Sequence, residues 1–251
     1  MTLQDKAALV TGASGGLGGA IAEALAQAGA SVTLAYHANR AGAEAVAGRI
    51  VAAGGTALTV QADLRQRAGA LALFARHFEK FASLHILVNN AGDMVRRVPT
   101  IETDEALWRE AIDLNLSSVF FACQEAIGPM TKQNWGRIIN ISSVGARTGG
   151  GAGSIPYHAA KAGVLALTKG LARELAPHRV TVNAIAPGII ETAFHERHSK
   201  ASKDAWIRDL VPLQHAGAPT DVAAAAAFLA SEEASYITGA TLDVNGGMAM
   251  A

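Results

Sequence analysis

The segment YHAAK places a phenol and an ammonium group at a spacing that suits proton transfer. Tyr157 and Lys161 stand four residues apart, and side chains at this spacing lie on one face of a helix. A phenol has an ordinary pKa of about 10, so at neutral pH it exchanges protons poorly unless a nearby positive charge favours its ionised form. Many helix surfaces carry such a pair, so it indicates catalysis only where other polar groups stand beside it.

Further polar groups are expected at one edge of a sheet, close to this pair. Ser142 and Ser143 end one strand candidate, and the segment NNAG, residues 89–92, ends the strand candidate before it. The carboxyl ends of parallel strands form the edge at which open α/β folds bind ligands. Asn115 stands in the largely apolar helical run DLNLSSVFF, where a buried amide needs hydrogen-bond partners. These positions predict a polar site around the tyrosine.

A glycine-rich turn follows the first apolar run of the chain. In TGASGGLGGA, residues 11–20, Gly12, Gly16 and Gly18 come directly after the strand candidate AALV and open a helix. A turn without side chains lets backbone N–H groups and the positive end of a helix approach a phosphate closely. A plain strand-to-helix turn is the alternative. Its place at the first βα junction favours a dinucleotide cradle.

The residues after the second strand candidate bear on which dinucleotide is bound. That strand ends at Tyr36, where an NAD site normally carries an acid for the ribose hydroxyls. His37, Asn39 and Arg40 follow, and an arginine suits a 2′-phosphate that an acid would repel. NADP is therefore favoured over NAD, with Arg40 as a solvated helix residue as the alternative. Asp63, after the third strand, is placed to cap a helix or to contact an adenine ring.

The elements that must position these groups alternate along the chain. Strand candidates AALV, SVTLAY, TALTVQ, LHILVN, RIINIS, VTVNAIA and ATLDV begin at residues 7, 31, 56, 84, 137, 180 and 240. Helical candidates lie near residues 17–27, 40–52, 66–81, 104–131, 157–176 and 221–230. This alternation predicts an α/β fold, one doubly wound domain over residues 1–251 with a seven-stranded parallel sheet and helices on both faces. The polar segment at residues 190–213 is interpreted as an excursion that forms a substrate lid.

Composition excludes several classes of protein. Charge is balanced, with 21 basic and 21 acidic residues, which disfavours nucleic acid or an anionic membrane as the main partner. The single Cys123 cannot form an internal disulfide and fits a reducing compartment. Neither a signal peptide nor a bilayer-spanning run is recognised, so we expect a cytoplasmic protein. The eight histidines are scattered, and no metal site is predicted.

In combination, these motifs resemble the classical short-chain dehydrogenases/reductases over essentially the whole chain. They are TGxxxGxG at Thr11, NNAG at Asn89, the helical Asn115, a serine before YxxxK at Tyr157, and PG at Pro187. The resemblance implies a Rossmann-like domain, usually assembled as a homotetramer, and a catalytic tetrad of Asn115, Ser143, Tyr157 and Lys161. It implies cofactor contacts from Gly12, Ser14, Gly16, Leu17, Gly18, Tyr36, His37, Asn39, Arg40, Asp63, Leu64, Asn89, Ala91, Gly92, Tyr157, Lys161, Pro187, Gly188, Ile190 and Thr192.

The resemblance also assigns roles within the tetrad. Tyr157 is the general acid/base, Lys161 lowers the phenol pKa electrostatically and bonds the nicotinamide ribose, and Ser143 donates to the substrate oxygen. Asn115 holds a water that links the lysine to bulk solvent. On the cofactor side, the glycines cradle the pyrophosphate, Asp63 meets adenine, Asn89 and Gly92 line the adenosine side, and Ile190 and Thr192 touch the carboxamide.

The chain departs from the family pattern in two places. Thirteen residues separate Ser143 from Tyr157, one more than the expected spacing, and we place the extra residue in the loop GARTGGGAG. Ser142 therefore remains a rival for the serine role. Gly15 stands where many NADP-preferring members carry Arg or Lys, which weakens the NADP prediction without restoring an acid at Tyr36.

The leading hypothesis is an NADPH-dependent reductase of a ketone such as a 3-oxoacyl thioester. The alternatives are an NAD-dependent dehydrogenase of a secondary alcohol (a sugar, polyol or steroid) and a nucleotide-binding regulator without turnover. Substrate choice depends on loops near residues 94–99, 145–156 and 191–213. His195 and His198 in the lid could meet substrate, and Arg96 and Arg97 after NNAG could attract an anionic substrate or carrier, but all four are interpreted as solvated loop residues.

Overall fold

The seven strands of the described residues form one parallel sheet. The computed structural model describes residues 1–198 and 203–250. The strands are β1 (Ala7–Thr11), β2 (Ser31–Tyr36), β3 (Ala57–Gln61), β4 (Ile86–Asn89), β5 (Gly136–Ile141), β6 (Val180–Pro187) and β7 (Thr241–Val244). Their order is β3-β2-β1-β4-β5-β6-β7, and every neighbouring pair is parallel. The predicted fold class and strand number are confirmed.

Helices cover both faces of this sheet. They are α1 (Gly16–Gln27), α2 (Arg40–Ala52), α3 (Arg67–Lys80), α4 (Glu105–Ile112), α5 (Ser118–Lys132), α6 (Gly145–Thr148), α7 (Ile155–Leu175), α8 (Ala193–His198), α9 (Lys203–Leu210) and α10 (Pro219–Ala230). Alternate residues of β1 enter different cores: Ala8 and Val10 pack with α1, α2 and α10, whereas Leu9 packs with α3, α5 and α7. Burial on both faces explains why the central strands are continuous apolar runs.

The helix predicted over residues 104–131 is interrupted where the sequence carries its buried amide. Residues Asp113–Ser117 form a π-helical turn between α4 and α5, a feature often found at functional sites. The side chain of Asn115 donates to the carbonyl of Ala111 at 2.9 Å, the oxygen that a regular α-helix offers to the backbone N–H of residue 115. The interruption therefore aims the amide at the end of the sheet.

The order of the sheet reverses between β1 and β4. From β1 the chain winds outward to β3, then crosses back to β4 and winds to the other edge. Ligands of open α/β folds bind at such a reversal, outside the carboxyl ends of the strands. The segment interpreted as a lid contains α8 and α9, and its residues 199–202 lie outside the described part of the chain. None of the described helices has the length and apolar character needed to cross a bilayer.

Candidate active site

A large cavity lies along the carboxyl ends of the central strands. Its volume is about 1140 Å³, slightly above the range of roughly 300–1,000 Å³ that is usual for a drug-sized ligand. One end is lined by residues that follow β2 and β3, such as His37 and Leu64, and the other by Tyr157, Phe194 and Trp206. This shape can accommodate an elongated ligand together with a second, smaller molecule.

The glycine turn forms the floor of the cavity beside β1. Gly12 has φ +63°, and a Cβ there would lie 2.9 Å from Ala91 Cα. A Cβ on Gly18 would lie 2.3 Å from the carbonyl oxygen of Gly12. Gly15 caps α1 without a side chain, and a Cβ at that position would meet nothing within 4 Å. The first N–H groups of α1 therefore face open space, which fits the pyrophosphate of a dinucleotide.

Most of the predicted cofactor residues line this cavity. They are Gly12, Ser14, Gly16, Leu17, Gly18, Tyr36, His37, Asn39, Asp63, Leu64, Ala91, Gly92, Tyr157, Lys161, Pro187, Gly188, Ile190 and Thr192. Two do not. Arg40 lies at the surface, where its Nε donates to Glu44 Oε1 at 2.6 Å.

The other exception is Asn89, which the sequence analysis placed on the adenosine side. Its side chain is buried in the core and donates to Asn140 Oδ1 at 2.9 Å. Asn90 lines the cavity instead, and its Nδ2 donates to the carbonyls of Thr11 and Gly12, both at 3.1 Å. Successive side chains of a strand point in opposite directions, so of two adjacent asparagines one enters the core.

A charged residue that the sequence analysis missed stands beside Asp63. Arg65 lines the cavity, and its Nη2 lies 2.7 Å from Asp63 Oδ2. The guanidinium hydrogen bond lowers the pKa of Asp63 to about 2. The segment ADLR could have indicated this pair, since an aspartate often bonds to the residue two positions later in a turn.

The four tetrad residues come together at the other end of the cavity. Ser143, Tyr157 and Lys161 line it. Asn115 lies next to Gly92 at the cavity wall. A Cβ on Gly92 would lie 2.6 Å from Asn115 Oδ1 and 3.1 Å from Lys161 Nζ. The Lys161 ammonium donates to the carbonyl of Ile141 at 2.8 Å.

The two adjacent serines have different partners. The Ser142 hydroxyl donates to the carbonyl of Lys161 at 2.8 Å and thereby joins β5 to α7. The Ser143 hydroxyl accepts from the N–H of Gly145 at 3.1 Å and lies near enough to the phenol of Tyr157 to lower its pKa. Ser143 is thus the serine that acts on the tyrosine.

Burial dominates the proton affinities of the tyrosine and the lysine. It raises the pKa of Tyr157, which the neighbouring Ser143 hydroxyl partly opposes. It lowers the pKa of Lys161 to about 8. The lysine Nζ lies 5.8 Å from the centroid of the phenol ring. The phenol pKa thus lies above its ordinary value, whereas the sequence analysis expected the lysine to lower it.

His158 organises the glycine-rich loop and was missed by the sequence analysis. It is buried, lines the cavity, and its Nδ1 lies 2.9 Å from Ser154 Oγ. A Cβ on Gly145 would lie 2.1 Å from its ring, and a Cβ on Gly150 would lie 2.0 Å from it. Burial lowers the pKa of His158 to about 4. The available signal was a histidine next to the tyrosine together with an unusually glycine-rich loop.

Asp93 joins the lid to the floor of the site. Its carboxylate lies 2.7 Å from His198 Nε2 and 3.1 Å from Arg197 Nη1, both in α8. Its backbone N–H donates to Asn115 Oδ1 at 3.1 Å. The prediction of a solvated His198 is wrong, because this ion-pairing contact leaves its side chain 11% exposed. The side chain of His195 lies outside the described residues.

Of the two arginines after NNAG, one fits the expectation of a solvated residue. Arg96 is exposed, with its Nη2 4.0 Å from Asp104 Oδ2. Arg97 is half-buried and lines the cavity, so the prediction that it is solvated is wrong. Its guanidinium instead contacts the glycine-rich loop, where it donates to the carbonyl of Ala152. No three His, Cys, Asp or Glu side chains of the described residues lie close enough together to hold a metal ion.

Comparison with known proteins gives consistent matches over the whole chain. Residues 12–249 match the family described as enoyl-(acyl carrier protein) reductase. The 3-oxoacyl-(acyl-carrier-protein) reductase FabG of Staphylococcus aureus is 43% identical over 245 residues, or 98% of each chain.

Two solved structures resemble the fold closely. A protein assigned as a short-chain alcohol dehydrogenase of Sinorhizobium meliloti is 36% identical with a TM-score of 0.92. One assigned as a gluconate dehydrogenase of Agrobacterium tumefaciens is 34% identical with a TM-score of 0.93. Both alignments cover 98% of this chain and 97% of the other.

The packing of the glycine-rich loop on His158 predicts unequal effects of two neighbouring alanines. Gly149 and Gly150 both have positive φ, +84° and +72°, but only a Cβ on Gly150 would meet His158. In urea unfolding we expect Gly150→Ala to destabilise the protein by about 1–3 kcal/mol more than Gly149→Ala, the usual cost of overpacking. Adding His158→Ala should remove that excess. Equal losses for the two alanines would show that the loop does not rest on the histidine.

Proposed function

Because the chain belongs to the short-chain dehydrogenase/reductase family, we propose that it reduces a ketone with NADPH and that Tyr157 donates the proton. Membership makes the protein an oxidoreductase acting on CH–OH and C=O groups. The observation that carries the proposal is that Ser143, Tyr157 and Lys161 line the same cavity, with the Ser143 hydroxyl close enough to the phenol to lower its pKa.

The two hydroxyl groups suit a carbonyl oxygen that becomes an alkoxide. Bound NADPH supplies the hydride to the carbonyl carbon. Ser143 and Tyr157 present O–H donors from neighbouring positions, so both can bond the same oxygen as negative charge develops on it. Burial raises the pKa of Tyr157, so the phenol is protonated at neutral pH, and its proton transfer relies on the positive charge of Lys161 to stabilise the phenolate.

Lys161 and Asn115 support this donor pair from behind. The lysine pKa of about 8 leaves it largely an ammonium ion at neutral pH, and we assign it the stabilisation of the phenolate after proton transfer together with a bond to the ribose. Asn115 donates to the carbonyls of Asp93 and Ala111 at 2.8 and 2.9 Å. Its Oδ1 lies on the side of Gly92 that also meets Lys161 Nζ, where a water linking the lysine to solvent would be held.

The adenosine end of the cavity favours NADP over NAD. Tyr36, His37 and Asn39 line the cavity where β2 ends, and none of them repels a 2′-phosphate. Asp63 is neutralised by Arg65. The exposed ion pair that holds Arg40 at the surface is weak, so its guanidinium can turn to a phosphate at small cost.

The relatives suggest two classes of substrate. FabG of S. aureus is named as a 3-oxoacyl-(acyl-carrier-protein) reductase, which supports a 3-oxoacyl thioester as the ketone. The structural relatives are named as alcohol and gluconate dehydrogenases, which supports oxidation of a secondary alcohol with NAD as the second candidate. A regulator without turnover would have no need of the Ser143 and Tyr157 hydroxyls together in one cavity.

Exposed apolar surface supports the proposal of a homotetramer. Trp108 of α4 and Phe120 of α5 are 42% and 44% exposed. β7 is an edge strand, and its Leu242 is 38% exposed. Exposed apolar side chains on two helices and on a sheet edge offer two places at which copies can associate, as an assembly with two kinds of two-fold interface requires.

The proton donor can be tested by removing one oxygen atom. We expect Tyr157→Phe to bind NADPH, measured by cofactor fluorescence, but to lose about 10²–10⁴-fold in turnover of a ketone panel, the usual contribution of a general acid. Tyr236→Phe is the control, since Tyr236 is fully exposed, and it should keep full activity. A Tyr157→Phe enzyme as active as wild type would overturn the assignment.

The preference for NADPH over NADH can be tested by placing an acid at the end of β2, where Tyr36 stands. We expect Tyr36→Asp to lower the ratio of kcat/KM with NADPH to that with NADH by at least about tenfold, because like charges brought together cost several kcal/mol. Tyr36→Asn, of similar size to the aspartate but uncharged, should change the ratio much less. If both variants shift it equally, the 2′-phosphate does not bind at this strand end.

The assembly can be measured directly. Sedimentation equilibrium at micromolar concentration should give a mass of four copies of the 25.8 kDa chain. A monomer under these conditions contradicts the proposal.

A further inference from the structure

Arg97 carries an uncompensated charge at the substrate end of the cavity. It is half-buried and lines the cavity together with Trp206 of α9, whose ring centroid lies 5.7 Å from its Cζ. Its Nη1 donates to the carbonyl of Ala152 at 2.5 Å. Its Nε is buried and has no hydrogen-bond partner among the described residues.

The other arginines of the cavity wall are neutralised, and this one is not. Arg65 pairs with Asp63, and Arg197 pairs with Asp93. Within the described ranges, no carboxylate forms an ion pair with Arg97. Burial lowers the pKa of Arg97, but a guanidinium does not lose its proton in proteins. A half-buried cation without a counter-charge is unfavourable unless a ligand supplies that charge.

Arg97 lies away from the residues that would hold the cofactor phosphates. A Cβ on Gly151 would lie 3.4 Å from its Nη1, and a Cβ on Gly153 would lie 2.9 Å from its Cγ. The same loop encloses His158, the neighbour of Tyr157, and the charge of Arg97 contributes to lowering the pKa of that histidine. The glycine turn and the ends of β2 and β3 lie at the opposite end of the cavity.

We infer that Arg97 binds an oxyanion of the ketone substrate, a carboxylate or a phosphate, and so selects anionic ketones over neutral ones. This inference rests on the proposed reduction of a ketone. The planar guanidinium binds either group well, and the indole of Trp206 beside it is a rigid apolar wall for the adjoining carbon chain. The oxyanion belongs either to a small oxo acid or to the phosphate of a phosphopantetheine thioester.

Matched pairs of probes distinguish these two sources. The first set compares pyruvate, acetoacetate and levulinate with their methyl esters. The second compares acetoacetyl phosphopantetheine with acetoacetyl N-acetylcysteamine, which has no phosphate. We expect kcat/KM for NADPH-dependent reduction to be about tenfold to a hundredfold higher for the anionic member of one set, the range of a desolvated charge pair.

Two variants assign that discrimination to the guanidinium. Arg97→Met should abolish the preference while leaving the neutral esters and thioester close to wild type, and Arg97→Lys should restore part of it. Arg96→Met is the matched control, because Arg96 is the exposed neighbour next to Asp104, and it should keep the full preference.

Each other outcome has a defined meaning. If neither set shows discrimination although ketones are reduced, the inference is wrong and the proposed function stands. If Arg97→Met loses activity on charged and neutral substrates alike, Arg97 supports the loop through Ala152 and the inference is again overturned. If no ketone is reduced by the wild-type enzyme, the proposed function fails and the inference fails with it.

Discussion

The hydroxyl of Thr11 is the point on which the site depends. It accepts the N–H groups of Asn90 and Ala91, both at 3.0 Å, and donates to the carbonyl of Val88 at 3.4 Å. These bonds tie the carboxyl end of β1 to that of β4, the strands between which the sheet order reverses. The reversal opens a cleft because the chain leaves the sheet in opposite directions on its two sides. The Asn90 amide then fixes the glycine turn as its floor.

The two ends of the cleft are built by different means. Backbone atoms dominate the cofactor end, where glycines bring the chain close and the start of α1 has no capping side chain. Side chains dominate the substrate end, where His158 supports one loop, Asp93 holds α8 and Arg97 faces the cavity. Contacts made by the backbone can be kept while the sequence changes, whereas contacts made by loop side chains change with every substitution. This difference explains how one fold serves a common cofactor and varied substrates.

The proposed catalytic groups Tyr157 and Lys161 are held where their charged forms are disfavoured. Burial raises the pKa of Tyr157 and lowers that of Lys161 to about 8. The lysine ammonium is stabilised by the carbonyl of Ile141, and Gly92 leaves space on one side of its backbone for both Asn115 and the ammonium. Such a cluster costs folding energy, and it is retained because the same low polarity strengthens every hydrogen bond to a reacting oxygen.

The sequence by itself determined the fold class, the seven strands and most of the longer helices. Hydrophobic period predicted the strands, and glycine placement predicted the close turn after β1, since these patterns are local. Which of Asn89 and Asn90 faces the ligand, and the π-helical turn that aims Asn115, were decided by tertiary structure. So was the burial of Arg97, read as solvated from its polar surroundings. Side-chain direction and desolvation depend on segments far apart in the chain, and no local pattern records how those segments pack.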